Sequence, residues 1–160
     1  MANLIPIPFD RLLRRIFYEY RKTDSIFDLS SRDFHRPGNE YDLSVKFLGK
    51  DAANPAGPAA GPHTQLAQNI VLAWLAGSRI LELKTVQIND HIELTRPCID
   101  MATIGYNTEW SQELSLDESL REYVKASMII EIMKQWMFLS DSSRPYQTKQ
   151  FDTIFDLSVG

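Results

Sequence analysis

One cysteine in 160 residues, Cys98, is the scarcest chemical resource of this chain. Alone it cannot close an internal disulfide, nor can it by itself hold an iron–sulfur cluster or a thiolate zinc site. A reducing cytoplasm is the expected setting. The chain also lacks any run of about 18 uncharged apolar residues, the length a membrane-spanning helix needs. Its opening, MANLIPIPFDRLLRR, puts charges where a signal peptide would carry an apolar core. Neither a membrane span nor export is expected. Positive charge is not in excess, because 17 Lys and Arg face 21 Asp and Glu for a net charge of -4. Bulk electrostatics therefore give no reason to bind nucleic acid or an anionic membrane surface. Internal repeats and low-complexity tracts are missing too. What is present is an ordinary globular composition, 44% hydrophobic and 24% charged, sufficient for the core of one domain.

Along the chain, FDRLLRRIFYEY (residues 9–20) sets Phe9, Leu12, Leu13, Ile16, Phe17 and Tyr20 at helical spacing. Asp10 suits the start of this amphipathic helix and Arg21 and Lys22 its end. A turn-rich segment, SSRDFHRPGNE, follows as a loop. In YDLSVKF, Leu43, Val45 and Phe47 alternate with polar residues at a strand's period of two, and Gly49 with Lys50 supplies a turn, which predicts a β-hairpin. The stretch NPAGPAAGPHTQLAQNI then compresses three Pro, two Gly and four Ala into residues 54–70. Thr64 is the expected N-cap of a helix that buries Leu66, Ile70, Leu72, Ala73 and Leu75 and stops at Gly77. RILELKTVQI reads as a buried strand. Strand, turn, helix and strand make a βαβ unit, which closes right-handed into a parallel sheet.

Residues 87–113 show no period, and so long an irregular segment is uncommon unless it covers a site. From Asp117 runs the longest helical pattern, with Leu120, Tyr123, Val124, Met128, Ile129, Ile132 and Met133 expected on its core faces. A last short strand lies in FDTIFDLSVG. The order β, α, β, long loop, α, β is the opening of a (β/α) barrel, which takes about 250 residues when complete. The expected fold is therefore α/β, the N-terminal portion of a TIM (β/α)8 barrel, incomplete in this chain. Residues 1–40 form a preceding helix and loop, and residues 41–160 a hairpin and the first β/α units.

YDLSVKFLGKDAANPAGPAAGP resembles the leading hairpin and first barrel strand of the flavin-dependent dihydroorotate and dihydropyrimidine dehydrogenases, and ELKTV resembles their second strand. GPAAGPHTQLAQNIV, ELKTVQI, PCID and NTEWS, with the opening PIPFDRLLRRIFYEY and the closing FDLSVG, are similar in order to the bacterial selenate reductase iron–sulfur subunit family. That resemblance implies a large cytoplasmic oxidoreductase built on an FMN-linked type of barrel. Iron–sulfur clusters and a flavoprotein module using FAD and NAD(P)H would lie outside this chain, in the remainder of the polypeptide or another subunit. The implied small-molecule substrate is selenate or a heterocycle such as a purine or pyrimidine.

In a barrel the chemistry sits at the carboxyl ends of the strands, and AGPAAGP would be the loop leaving the first one. Small residues let a flat flavin approach the main chain, so Ala59, Ala60 and Gly61 are candidates to cradle FMN; a tight structural turn explains the same residues. Lys84 stands in an apolar strand, where a charge is costly without a partner. Glu82, of the same strand parity, is one candidate partner. The resemblance implies the other role, a lysine at the flavin edge that stabilises electron density in the reduced ring. It also implies that Asn107 hydrogen-bonds the substrate, with Glu109 and Trp110 beside it; Trp110 serves equally as a packing anchor. His63 reads as a surface or capping residue, with a site role as the alternative, and Cys98 as a small buried side chain. Three functional classes follow: a flavin-barrel segment of an oxidoreductase, a cofactor-free barrel scaffold that docks electron-transfer modules, and an interaction module using the basic face of the first helix.

Overall fold

The structure, a computed structural model, describes residues 4–38, 40–86, 88, 114–139 and 147–157. Helix α1 (Phe9–Thr23) carries Leu12 and Ile16 into the core. It ends at Asp24, whose left-handed backbone (φ 51, ψ 44) turns the chain into a short hairpin of β1 (Ser25–Ile26) and β2 (Leu29–Ser30). The hydroxyl of Ser31 donates to Asp24 Oδ2 at 2.5 Å and closes this corner. Arg15, on the basic face of α1, is used internally: it pairs with Glu19, reaches Asp28 at 3.0 Å and Gln68 at 3.3 Å, and lies over the Phe27 ring. Arg11, Arg14, Arg21 and Lys22 stay exposed.

The second hairpin pairs β3 (Val45–Phe47) with β4 (Lys50–Ala52) through a turn at Leu48 and Gly49, one residue earlier than the sequence suggested. Both turn residues have positive φ, 49 and 75, the geometry that matches strand twist in a two-residue hairpin.

The parallel sheet is assembled from residues far apart in sequence. Strand β5 (Ile80–Glu82) pairs in parallel with β6 (Ile154–Asp156), Ile80 opposite Ile154 and Glu82 opposite Asp156. On the other side of β5 runs the Asn54–Gly57 segment, where Ala56 O accepts from the Arg79 and Ile80 amides at 2.8 and 3.1 Å. Three neighbouring chain segments thus follow the order expected for the first three strands of a barrel, and no closed barrel exists among the described residues. Gly57 is required by this contact, since a Cβ there would lie 1.4 Å from Ile80 O.

Helix α2 (Ala67–Leu75) and helix α3 (Leu116–Met133) cover one face of the sheet. Helix α2 buries Ala67, Ile70, Val71, Trp74 and Leu75; of the face expected from the sequence, Ile70 and Leu75 are buried and Leu72 and Ala73 are partly buried against the same core, with Val71 and Trp74 added to it. It ends before Gly77, whose φ of 113 reverses the chain; a Cβ there would meet the His35 ring at 3.0 Å. Helix α3 starts at a capping box, with the Ser115 hydroxyl accepting from the Glu118 amide and Glu118 accepting from the Ser115 amide. It continues as a π-helical stretch, Lys134–Leu139. That stretch delivers Trp136 against Phe17 and Tyr20, with ring centroids 4.5 and 5.2 Å apart, and Phe138 into a cluster with Trp74 and Phe151. Leu12, Ile16, Ile70, Trp74, Leu81, Ile129 and Phe151 belong to one contiguous core, so α1 packs with the α/β layers.

Candidate functional site

Two main-chain anchors shape the loop that leaves the first barrel segment. Asn54, buried, donates from Nδ2 to Gly77 O at 3.0 Å and accepts the Ala56 amide on Oδ1 at 2.9 Å, which fixes where residues 56–58 run. Thr64 closes the other end. Its hydroxyl donates to Gly61 O at 3.0 Å and accepts from Gly61 N at 3.1 Å, making a short 3-10 turn, Pro62–Thr64. The expectation that Thr64 caps α2 is corrected accordingly. The first amide of that helix, Ala67 N, donates instead to Glu122 Oε2 at 2.8 Å.

Glu122 is 2% exposed and forms an ion pair with Lys125, whose Nζ also donates to Ile7 O at 2.8 Å. A buried carboxylate on α3 therefore sits at the positive end of α2 and ties it to the N-terminal segment. Beside it, Gln65 Nε2 reaches Ser119 Oγ at 3.4 Å, and Gln65 Oε1 has no partner among the described residues.

Between the two anchors, Ala59 is exposed and Ala60 half-buried, and no hydrogen bond among the described residues occupies their amides. Gly61 differs from them, because its amide is already taken by Thr64. The small side chains and unoccupied amides thus fall at Ala59 and Ala60, while the bonds of Gly61 to Thr64 hold the end of the loop.

Lys84 lies two residues past the last β5 residue, Glu82. Pairing with β6 extends as far as Leu83, whose amide donates to Asp156 O at 2.9 Å. Leu81 and Leu83 enter the core against the helices, so strand alternation puts Glu82 and Lys84 on the opposite face, where Asp156 is the register partner of Glu82. The Lys84 carbonyl is gripped from the helix layer by the Tyr123 hydroxyl, which donates at 2.6 Å. Burial pushes the Tyr123 phenol up to about 12, against a smaller opposing pull from Ser119. The loop 59–61 follows the Asn54–Gly57 segment that borders β5, and Lys84 follows the carboxyl end of β5, the end at which open and closed α/β sheets bind ligands.

His63 is exposed on the 3-10 turn. Asn107, Glu109, Trp110 and Cys98 lie outside the described residues. Sequence reasoning missed Asn54, Glu122, Tyr123 and Arg79 as supporting groups. Only Asn54 carried a local signal, its place before Pro55 at the head of a turn.

This architecture is consistent with the N-terminal part of an α/β barrel. The model of the family described as Oxidoreductase YgfK, N-terminal TIM-barrel domain, matches residues 27–160, and the chain belongs to that family. It is similar to the proteins named Putative oxidoreductase YgfK of Escherichia coli strain K12 and of Escherichia coli O157:H7, each 47% identical over 155 residues. Those residues are 97% of this chain and 14% of each relative, so the chain spans about one seventh of the length of the curated relatives it matches. No solved structure matches the chain. Among the described residues no helix is long and apolar enough to cross a membrane, and no group of three or more His, Cys, Asp or Glu is placed to hold a metal ion.

Proposed function

We propose that this chain forms the first strands and helices of an FMN-binding barrel in a multi-domain oxidoreductase that reduces a small molecule, selenate or a purine- or pyrimidine-like heterocycle. The single observation that carries the reading is the placement of Lys84 beyond the carboxyl end of β5, its carbonyl held by Tyr123, with β5 bordered by the Asn54–Gly57 segment from which the small-residue loop leaves. FMN, when bound, supplies the two-electron redox chemistry. The Ala59 and Ala60 amides would lie against its ring, with the Gly61–Thr64 turn holding the end of that stretch. The Lys84 ammonium would place a positive charge near the ring, where it would favour electron density on the cofactor. Asn107 donates to and accepts from the substrate. Electrons reach the barrel from iron–sulfur and FAD/NAD(P)H modules elsewhere in the full-length polypeptide or in a partner subunit.

Lys84→Ala in the full-length polypeptide tests this. Expected is loss of substrate-dependent flavin reoxidation by about 100-fold, the range seen when one preorganised electrostatic contact is removed, with the elution volume and thermal midpoint unchanged. Unchanged turnover and flavin spectrum in a folded variant would favour the cofactor-free scaffold.

A further inference from the structure

Three buried side chains form a line from the turn before α2 to the carboxyl end of β5. Gln65 and Ser119 are each 0% exposed, and Tyr123 is 8% exposed. Gln65 Nε2 donates to Ser119 Oγ at 3.4 Å, the Ser119 hydroxyl donates to the Tyr123 oxygen one helical turn on, and the Tyr123 hydroxyl donates to Lys84 O at 2.6 Å. Each hydroxyl thus accepts from the group before it and donates to the group after it. Hydrogen bonds aligned head to tail polarise one another, so the short last bond depends on both earlier donors.

The line begins where one loop is closed and ends where another segment is held. Gln65 completes the 3-10 turn, its amide donating to Pro62 O at 3.3 Å beside the Gly61–Thr64 bonds that end the Ala59–Gly61 loop. Tyr123 grips the carbonyl of Lys84 itself. Filling space does not require this chemistry. Gln65→Met would keep much the same volume and remove the acceptor Oε1, which has no partner among the described residues. What it would lose is the donor to Ser119. We infer that Gln65 and Ser119, with Tyr123, are positioning residues of the proposed flavin site, tying the loop of Ala59 and Ala60 to the strand end that bears Lys84 so that the two shift together. The use of that tie rests on the flavin reading; the tie itself does not.

Native-state hydrogen exchange of the full-length polypeptide, without added flavin, tests the tie from both ends. Tyr123→Phe cuts the strand end. Expected is about fivefold faster exchange at the Leu83 amide and also at the Gly61, Thr64 and Gln65 amides, the protection that one hydrogen bond confers. Gln65→Met cuts the loop end and should accelerate Leu83 equally, since coupling between two sites is reciprocal. The double variant should exchange no faster than either single one, because a line already broken has nothing further to lose. Amides of α1 should keep their parental rates. Acceleration confined to the end that was cut, additive effects in the double variant, or a rise that includes α1 would each overturn the inference. Ser119→Ala, which removes one buried oxygen, gives the same readout from the middle. In the flavin-loaded protein, Tyr123→Phe and Gln65→Met should each release flavin on dialysis about fivefold faster than the parent. Release unchanged in both, while Lys84→Ala loses its flavin, would refute the positioning role. Coupled exchange with flavin retained in all three variants, Lys84→Ala included, would instead defeat the flavin reading and leave the tie standing.

Discussion

Arg79 is 1% exposed, and its guanidinium is held by main-chain carbonyls: Nη1 donates to Trp74 O at 2.9 Å and Ser78 O at 2.8 Å, and the group stacks on the Trp74 ring. It closes the carboxyl end of α2, where orphan carbonyls and the negative end of the helix dipole favour a cation. Burial lowers its pKa to about 10. Tyr123 is shifted in the opposite chemical sense, up to about 12. The two have opposite effects on alkaline stability. Between pH 10 and about 12 the unfolded chain has released the Tyr123 proton and the folded chain has not, so this group's contribution is whole below pH 10 and is lost as pH rises. For Arg79 the unfolded chain holds the extra proton above about pH 10, so its contribution to stability rises with pH. Comparing Tyr123→Phe with the parent cancels Arg79. The parent should be more stable by about 1 kcal/mol at pH 8, the worth of one hydrogen bond, with the difference shrinking by about pH 11 in urea titrations. A difference that stays constant across that range would show that the Tyr123 phenol does not keep its proton through folding.

At the scale of elements, the helix pair α2 and α3 depends on a cap delivered across 55 residues, Glu122 to the Ala67 amide. Removing this carboxylate strips a helix terminus of its acceptor and leaves Lys125, 14% exposed at its side chain, without its buried partner. Glu122→Ala should therefore cost about 3 kcal/mol in chemical denaturation, as expected for breaking a buried ion pair, and Glu122→Gln should recover part of it by keeping an acceptor. A loss below about 1 kcal/mol would mean that water caps α2 equally well. This contact also marks the limit of what the sequence discloses. Helix α1 was legible because Leu12 and Ile16 fall on a 3.6-residue period with polar residues between them. The β3–β4 hairpin was legible from alternation, apart from the one-residue shift of its turn to Leu48. The cap of α2 was not, because its acceptor is chosen by tertiary contact and the local hydroxyl of Thr64 is spent on Gly61. Leu120, Val124 and Met128 were read as core because periodicity identifies apolar faces without identifying which neighbours are present to cover them. Arg79 escaped notice because arginine inside a core is rare and its partners are backbone carbonyls with no sequence signature.

At the scale of the whole molecule, the described residues supply one end of a proposed flavin site and not the other. In that proposal the Ala59–Ala60 loop and Lys84 would address the ring, whereas TIM barrels frequently bind phosphate with the loops after the seventh and eighth strands. A ring contact alone leaves FMN without the charge-assisted hydrogen bonds that contribute most of its affinity. The 160-residue chain by itself should therefore bind FMN no more tightly than about 1 mM, close to the affinity of small unanchored ligands, and should purify colourless. The full-length polypeptide should purify with FMN and lose it in Lys84→Ala more readily than the parent does. Flavin fluorescence quenching against the isolated chain measures the first quantity, and absorbance at the flavin maximum after exhaustive dialysis measures the second. Stoichiometric yellow protein from residues 1–160 would mean that the first β/α units already hold the cofactor whole, and the division of the site between the two ends of the barrel would have to be abandoned.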